Sequence, residues 1–82
     1  MKVLVNVRIP AINNEYDMLI PDFEKIGTVI SLLTEIAVEM SGSQYVVSGE
    51  EVLCHKESNA VLGTDHTLKE YDVKNGDTLL LI

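Results

Sequence analysis

The pairing with the most chemical potential in this chain is Cys54-His55, in the stretch "VLCHK". A thiol beside an imidazole is a nucleophile beside a base, and both side chains can hold a metal. Their adjacency argues against either use, because neighbours on a strand project to opposite faces and share neither a proton nor an ion. His66 lies in a separate loop, and a zinc site needs three or four converging ligands. With one cysteine in the chain, Cys54 reads as a buried small hydrophobe, and a four-cysteine iron–sulfur cluster is ruled out. Two acid pairs come next. Glycosidase-type work needs two carboxylates facing each other across a cleft. Glu35 and Glu39 instead share an exposed helix face, and Glu50-Glu51 sits in a loop. Gly42 and Gly49 stand apart with no Lys-Ser/Thr behind them, so no phosphate loop forms. No residue reads as catalytic, metal-binding or cofactor-binding.

The elements that position these residues must fit into 82 residues, which is one domain spanning 1–82. Hydrophobic residues make up 46% and charged ones 23%, a globular balance. Tryptophan is absent, and the aromatics are three tyrosines and one phenylalanine, so the core is expected to be aliphatic. The net charge of −7 comes from 13 acidic against 6 scattered basic residues. Nucleic acid and anionic membrane surfaces are therefore not expected as partners. One cysteine permits no internal disulfide. The N-terminal "MKVLVNVRIP" alternates rather than forming the solid apolar run of a signal peptide, and no apolar stretch approaches the ~18 residues of a membrane span. A cytoplasmic location is expected.

"KVLVNVRI" (2–9) alternates Val3, Val5, Val7 and Ile9 with Lys2, Leu4, Asn6 and Arg8, a strand buried on one face. Pro10 ends it, Asn13 and Asn14 supply turn chemistry, and "YDMLIP" resumes the alternation to complete a hairpin. From Lys25 the period changes. Ile26, Val29, Ile30, Leu33, Ile36, Ala37 and Met40 form a helical stripe, preceded by Asp22 and Glu24 and followed by Gly42. "VLCHK", "AVL" and "TLLLI" read as three further strands, with Leu68, Tyr71 and Val73 as an irregular anchor and Asn75-Gly76 as a turn. The most apolar strands stand at the two ends of the chain, so they are expected side by side at the centre of the sheet. The class is α+β: a β-grasp, with a mixed sheet in the order 2-1-5-3 plus a short strand 4 and one helix across one face.

"TLKEYDVKNGDTL" (67–79) resembles the end of ubiquitin, as "MKVLVNV" resembles its first strand. That likeness implies that Tyr71 is a buried ring whose hydroxyl bonds nearby backbone, a structural role. "PDFEKIGTVISLLTEIA" (21–37) and the closing L-x-x-Y-D-V-x-N-G-D-x-L are similar to the YukD/EsaB family of Gram-positive bacteria, small ubiquitin-like proteins; residues 41–51 match nothing in it. The family resemblance implies a cytoplasmic accessory or regulator of a type VII (ESX-like) secretion system, with a secretion component as protein partner. Conjugating ubiquitins and sulfur carriers need a flexible Gly-Gly tail. A chain that stops at Ile82 within a strand is expected to do neither, and a sulfur carrier or modifier is the disfavoured alternative.

An interaction face is expected on the side of the sheet away from the helix. If Val3, Val5, Met18, Ile20, Val52, Cys54, Leu79 and Leu81 point inward, then Leu4, Leu19, Leu53 and Leu80 form an outward row. Glu50 and Glu51 would steer a basic partner toward it. The same row offers a second possibility, a homodimer or larger homo-oligomer.

Overall fold

The computed structural model describes residues 1–82. Strands β1 (Lys2–Ile9) and β2 (Asn14–Pro21) form the N-terminal hairpin, joined by a 3-10 turn at Pro10–Ile12. Their register sets Val3 against Ile20, Val5 against Met18 and Val7 against Tyr16. Val3, Val5, Val7, Ile9 and Ile20 are buried, as the alternation requires. The turn closes where Asn13 donates its N–H to the Pro10 carbonyl at 3.0 Å, with a left-handed φ of 49°. Asparagine tolerates that conformation better than most residues.

Helix α1 (Ile26–Met40) lays Ile26, Val29, Leu33 and Ala37 on the sheet, with Ile30 and Ile36 half-buried beside them and Met40 exposed. Its start carries no side-chain cap. Instead, the Ile26 and Gly27 N–H groups donate to the carbonyls of His66 and Thr64, at 2.8 and 3.0 Å. The loop before the last strand thus supplies the partners that a helix start lacks. Gly42, at φ 64°, ends the helix as expected.

Strands β3 (Leu53–His55), β4 (Ala60–Leu62) and β5 (Thr78–Leu81) complete a five-stranded sheet in the order β2-β1-β5-β3-β4. β5 runs parallel to β1, with Val7 beside Leu79, and antiparallel to β3, with Leu53 beside Leu81. The two ends of the chain therefore meet at the middle of a β-grasp sheet. Leu68 and Val73 are buried and anchor the irregular segment between β4 and β5. Lys74 and Asp77 close the Asn75-Gly76 turn by a 3.0 Å backbone bond, with Gly76 at φ 89°.

One expectation fails. Leu53 faces the core and is 0% exposed, whereas Val52, expected inward, is 39% exposed. Cys54 turns outward and His55 inward. The strand is shifted by one residue relative to its expected phase, which exchanges every side chain between faces. The burial of His55 is possible because both ring nitrogens find partners at the sheet's rim.

Candidate functional site

The open face of the sheet is mapped by its cross-strand neighbours. Near one corner Leu4 pairs with Leu19, and these are 43% and 60% exposed. The next rows are polar on the hairpin side. Asn6 Nδ2 donates to Asp17 Oδ1 at 3.2 Å, Arg8 Nε donates to Asn6 Oδ1 at 3.1 Å, and Arg8 Nε lies 3.0 Å from Glu15 Oε2. Across from Arg8 the row turns apolar: Leu80 sits beside it on β5, then Cys54 on β3 and Val61 on β4. Val52 and Ile82 extend this cluster by one row, exchanging both backbone bonds at 3.0 Å. Val61 and Ile82 are the most exposed of the five.

The expected row of four leucines is thus not continuous. Leu4 and Leu19 stand at one corner, Leu80 belongs to a separate cluster beyond a polar band, and Leu53 lies in the core. Cys54 takes the place on β3 expected for Leu53, and Val61, Val52 and Ile82 complete the cluster around Leu80. A shallow groove beside Leu80 is lined by Arg8, Pro10, Asn13, Asn14 and Glu15, and Leu80 is its one large apolar side chain.

The acids beside the third strand divide in role. Glu50 is exposed. Glu51 spends its carboxylate on its own loop, accepting the N–H groups of Ser48 and Gly49 at 2.7 and 3.1 Å and the Tyr45 hydroxyl at 3.3 Å. The Ser48 amide holds the Glu51 carboxyl below its ordinary range. Burial, reinforced by Glu51, raises the Tyr45 hydroxyl. Glu51 therefore ties residues 45–51 together, whereas Glu50 makes no such tie through its carboxylate.

A second cluster was not anticipated. His55 Nδ1 lies 2.6 Å from Ser58 Oγ, and Nε2 lies 2.8 Å from Asp77 Oδ2 and 3.6 Å from Glu57 Oε1. Asp77 also accepts the Lys74 N–H at 2.9 Å, which is the main reason its carboxyl is held low. Glu57 accepts the Thr78 N–H at 2.9 Å. The sequence signal was faint: a histidine closing an apolar strand, a Glu-Ser turn behind it, and an aspartate after Asn-Gly. As expected, Cys54 and His55 share nothing, since they occupy opposite faces of β3.

Tyr71 is half-buried rather than buried, but its hydroxyl takes the structural role that its resemblance implies. Its hydroxyl accepts the Gly63 N–H at 2.9 Å, and its ring meets His66 edge-on at 5.9 Å between centroids. A Cβ on Gly63 would fall 2.8 Å from the His66 ring and 3.3 Å from the Tyr71 hydroxyl, so a larger residue there would have to displace the exposed His66 side chain.

Several solved structures share this fold. The ubiquitin-like domain of EccD5 from Mycobacterium xenopi superimposes with a TM-score of 0.80 at 17% identity, covering 100% of this chain and 93% of that one. The ubiquitin-like domain of the Mycobacterium tuberculosis type VII secretion system protein ECCD1 gives 0.76 at 15%, covering 100% and 98%. A chain of the MycP5-free ESX-5 inner membrane complex gives 0.78 at 20%, covering 99% of this chain and 20% of that one. No curated protein matches the sequence. The family described as "WXG100 protein secretion system (Wss), protein YukD" matches residues 4–81, from the Leu4 corner of the open face to the end of β5. The chain belongs to the YukD family of the WXG100 protein secretion system, a secretion-associated ubiquitin-like module.

Proposed function

We propose that this protein is a non-enzymatic, non-conjugated accessory or regulatory protein of a type VII secretion system, working in the cytoplasm by contact with a protein component of the machine. The observation that carries the reading is the apolar cluster of Leu80, Cys54, Val61, Val52 and Ile82 on the open sheet face of a YukD-family chain. An apolar patch bordered by charge is the usual form of a protein contact. Similar domains in EccD proteins and in an ESX-5 inner membrane complex favour a partner within such a machine. Leu4 and Leu19 form a second, smaller contact, and the exposed Glu50 steers a basic partner. No helix is long and apolar enough to cross a membrane, so attachment to a membrane complex would come through that partner.

The test is an affinity capture from Gram-positive cells with solubilised membranes, using wild type, Leu80→Asp and Val61→Asp as baits. Wild type is expected to retain a secretion-system component, and both variants to lose it while remaining folded by circular dichroism. Equal retention by all three would remove the contact from this face. Intact mass from cells bears on the absence of conjugation, because any covalent adduct at the C-terminal carboxylate would overturn it.

A further inference from the structure

His55, Glu57 and Asp77 bring one imidazole nitrogen and two carboxylates together from β3, from the turn behind it and from the start of β5. Their candidate ligand atoms all lie within 4.8 Å of one another. The His55 side chain is only 5% exposed, while Glu57, at 43%, opens the cluster to solvent. A neutral imidazole has one N–H. On Nε2 it can serve Asp77 at 2.8 Å, but Glu57 at 3.6 Å then faces the same nitrogen without a proton of its own. Two carboxylates thus face a single ring nitrogen. The Lys74 ammonium lies 3.6 Å from Asp72 instead.

We propose that these three side chains bind a divalent transition-metal ion of the zinc class, through Nε2 of His55 and one oxygen each of Glu57 and Asp77, with water completing the coordination. A mixed nitrogen–oxygen donor set suits such ions better than calcium or magnesium, which take oxygen. Backbone amides already fix both carboxylates, Asp77 through the Lys74 N–H and Glu57 through the Thr78 N–H. With Nε2 on the metal the ring proton resides on Nδ1, where Ser58 Oγ at 2.6 Å accepts it. That outer partner is the arrangement by which protein-bound imidazoles are oriented. Loading therefore fixes the ring proton of His55 on Nδ1. Three protein ligands with an open edge make the ion exchangeable, and its effect is to clip the β3–β4 turn to β5.

Zinc chloride titrated into the chelator-stripped chain, followed by long-range proton–nitrogen spectra of the two imidazoles, tests the proposal. One equivalent is expected to move the ring proton of His55 from Nε2 to Nδ1 and to raise Tm with zinc concentration. Glu57→Gln and Asp77→Asn each keep an acceptor for their backbone amide and are expected to weaken binding at least about tenfold. His66→Gln is expected to leave binding unchanged, although His66 lies 2.8 Å from Glu70 at the surface. The proposal is overturned if zinc shifts His66 rather than His55, if His55 keeps its proton on Nε2, or if Glu57→Gln binds as tightly as wild type.

Discussion

The β1–β2 hairpin pairs eight residues of each strand, whereas β3, β4 and β5 pair over three residues in each ladder and lean on polar side chains. In the C-terminal half, Glu51, Glu57, Asp77 and Tyr71 each accept a backbone N–H, and Asn75 Oδ1 takes the Leu4 N–H at 2.8 Å. The difference follows from ladder length. A short strand satisfies few of its flanking amides, and buried or half-buried amides without partners are costly. Side chains then supply what neighbouring strands do not. The hairpin is specified by its alternation, and the C-terminal half by individual polar residues.

The strongest way to break this contrast is in the core of the short strands. Leu53→Ala should cost about 2–5 kcal/mol by urea unfolding, as a fully buried leucine does, while Leu19→Ala on the open hairpin face should stay within about 0.5 kcal/mol. Similar losses at the two sites would refute the inward placement of Leu53. Next in size is Asp77→Ala, expected to lose about 2 kcal/mol with the Lys74 amide and His55 left short of an acceptor. The amides that hold the Asp77 and Glu51 carboxyls low make their contribution complete at neutral pH. It fades as pH falls below about 4, through the depressed folded values, because the unfolded chain takes up the protons first. Asp77→Ala should therefore flatten the acid limb of a stability–pH curve, and an unchanged limb would count against the tie. The smallest effects distinguish two tyrosines. Tyr71→Phe should cost about 1 kcal/mol by orphaning the Gly63 amide. Tyr16→Phe should be neutral or slightly stabilising, since the Tyr16 hydroxyl is buried without a partner. A larger loss at Tyr16 than at Tyr71 would reverse the argument.

The same contrast explains what could be read from the sequence. The hairpin, the helix, the central place of the terminal strands and the role of Tyr71 were legible because period, turn residues and motif agreed with the tertiary fold. The phase of β3 was not. Three residues give an alternation too short to decide, and nothing in the local sequence shows that Ser58 and Asp77 will satisfy a buried His55. That single shift moved Leu53 off the open face and Cys54 onto it. The binding of Glu51 to its own loop was also illegible, because a carboxylate in a polar loop gives no sign of which amides it will meet.

The parallel pairing of β1 with β5 has a consequence in time. A ribosome delivers the hairpin and the helix well before residues 78–81, at roughly 5–20 residues per second. Until those residues clear the exit, the slot between β1 and β3 is empty. Leu79 and Leu81 are missing from the core, and two strand edges stand ready to pair with whatever is near. Contacts between the earliest and latest parts of a chain are also slow to form. The domain therefore cannot mature by instalments during its synthesis. A nascent chain stalled just before Thr78 is therefore expected to expose the edges of β1 and β3 and the core face that Leu79 and Leu81 cover.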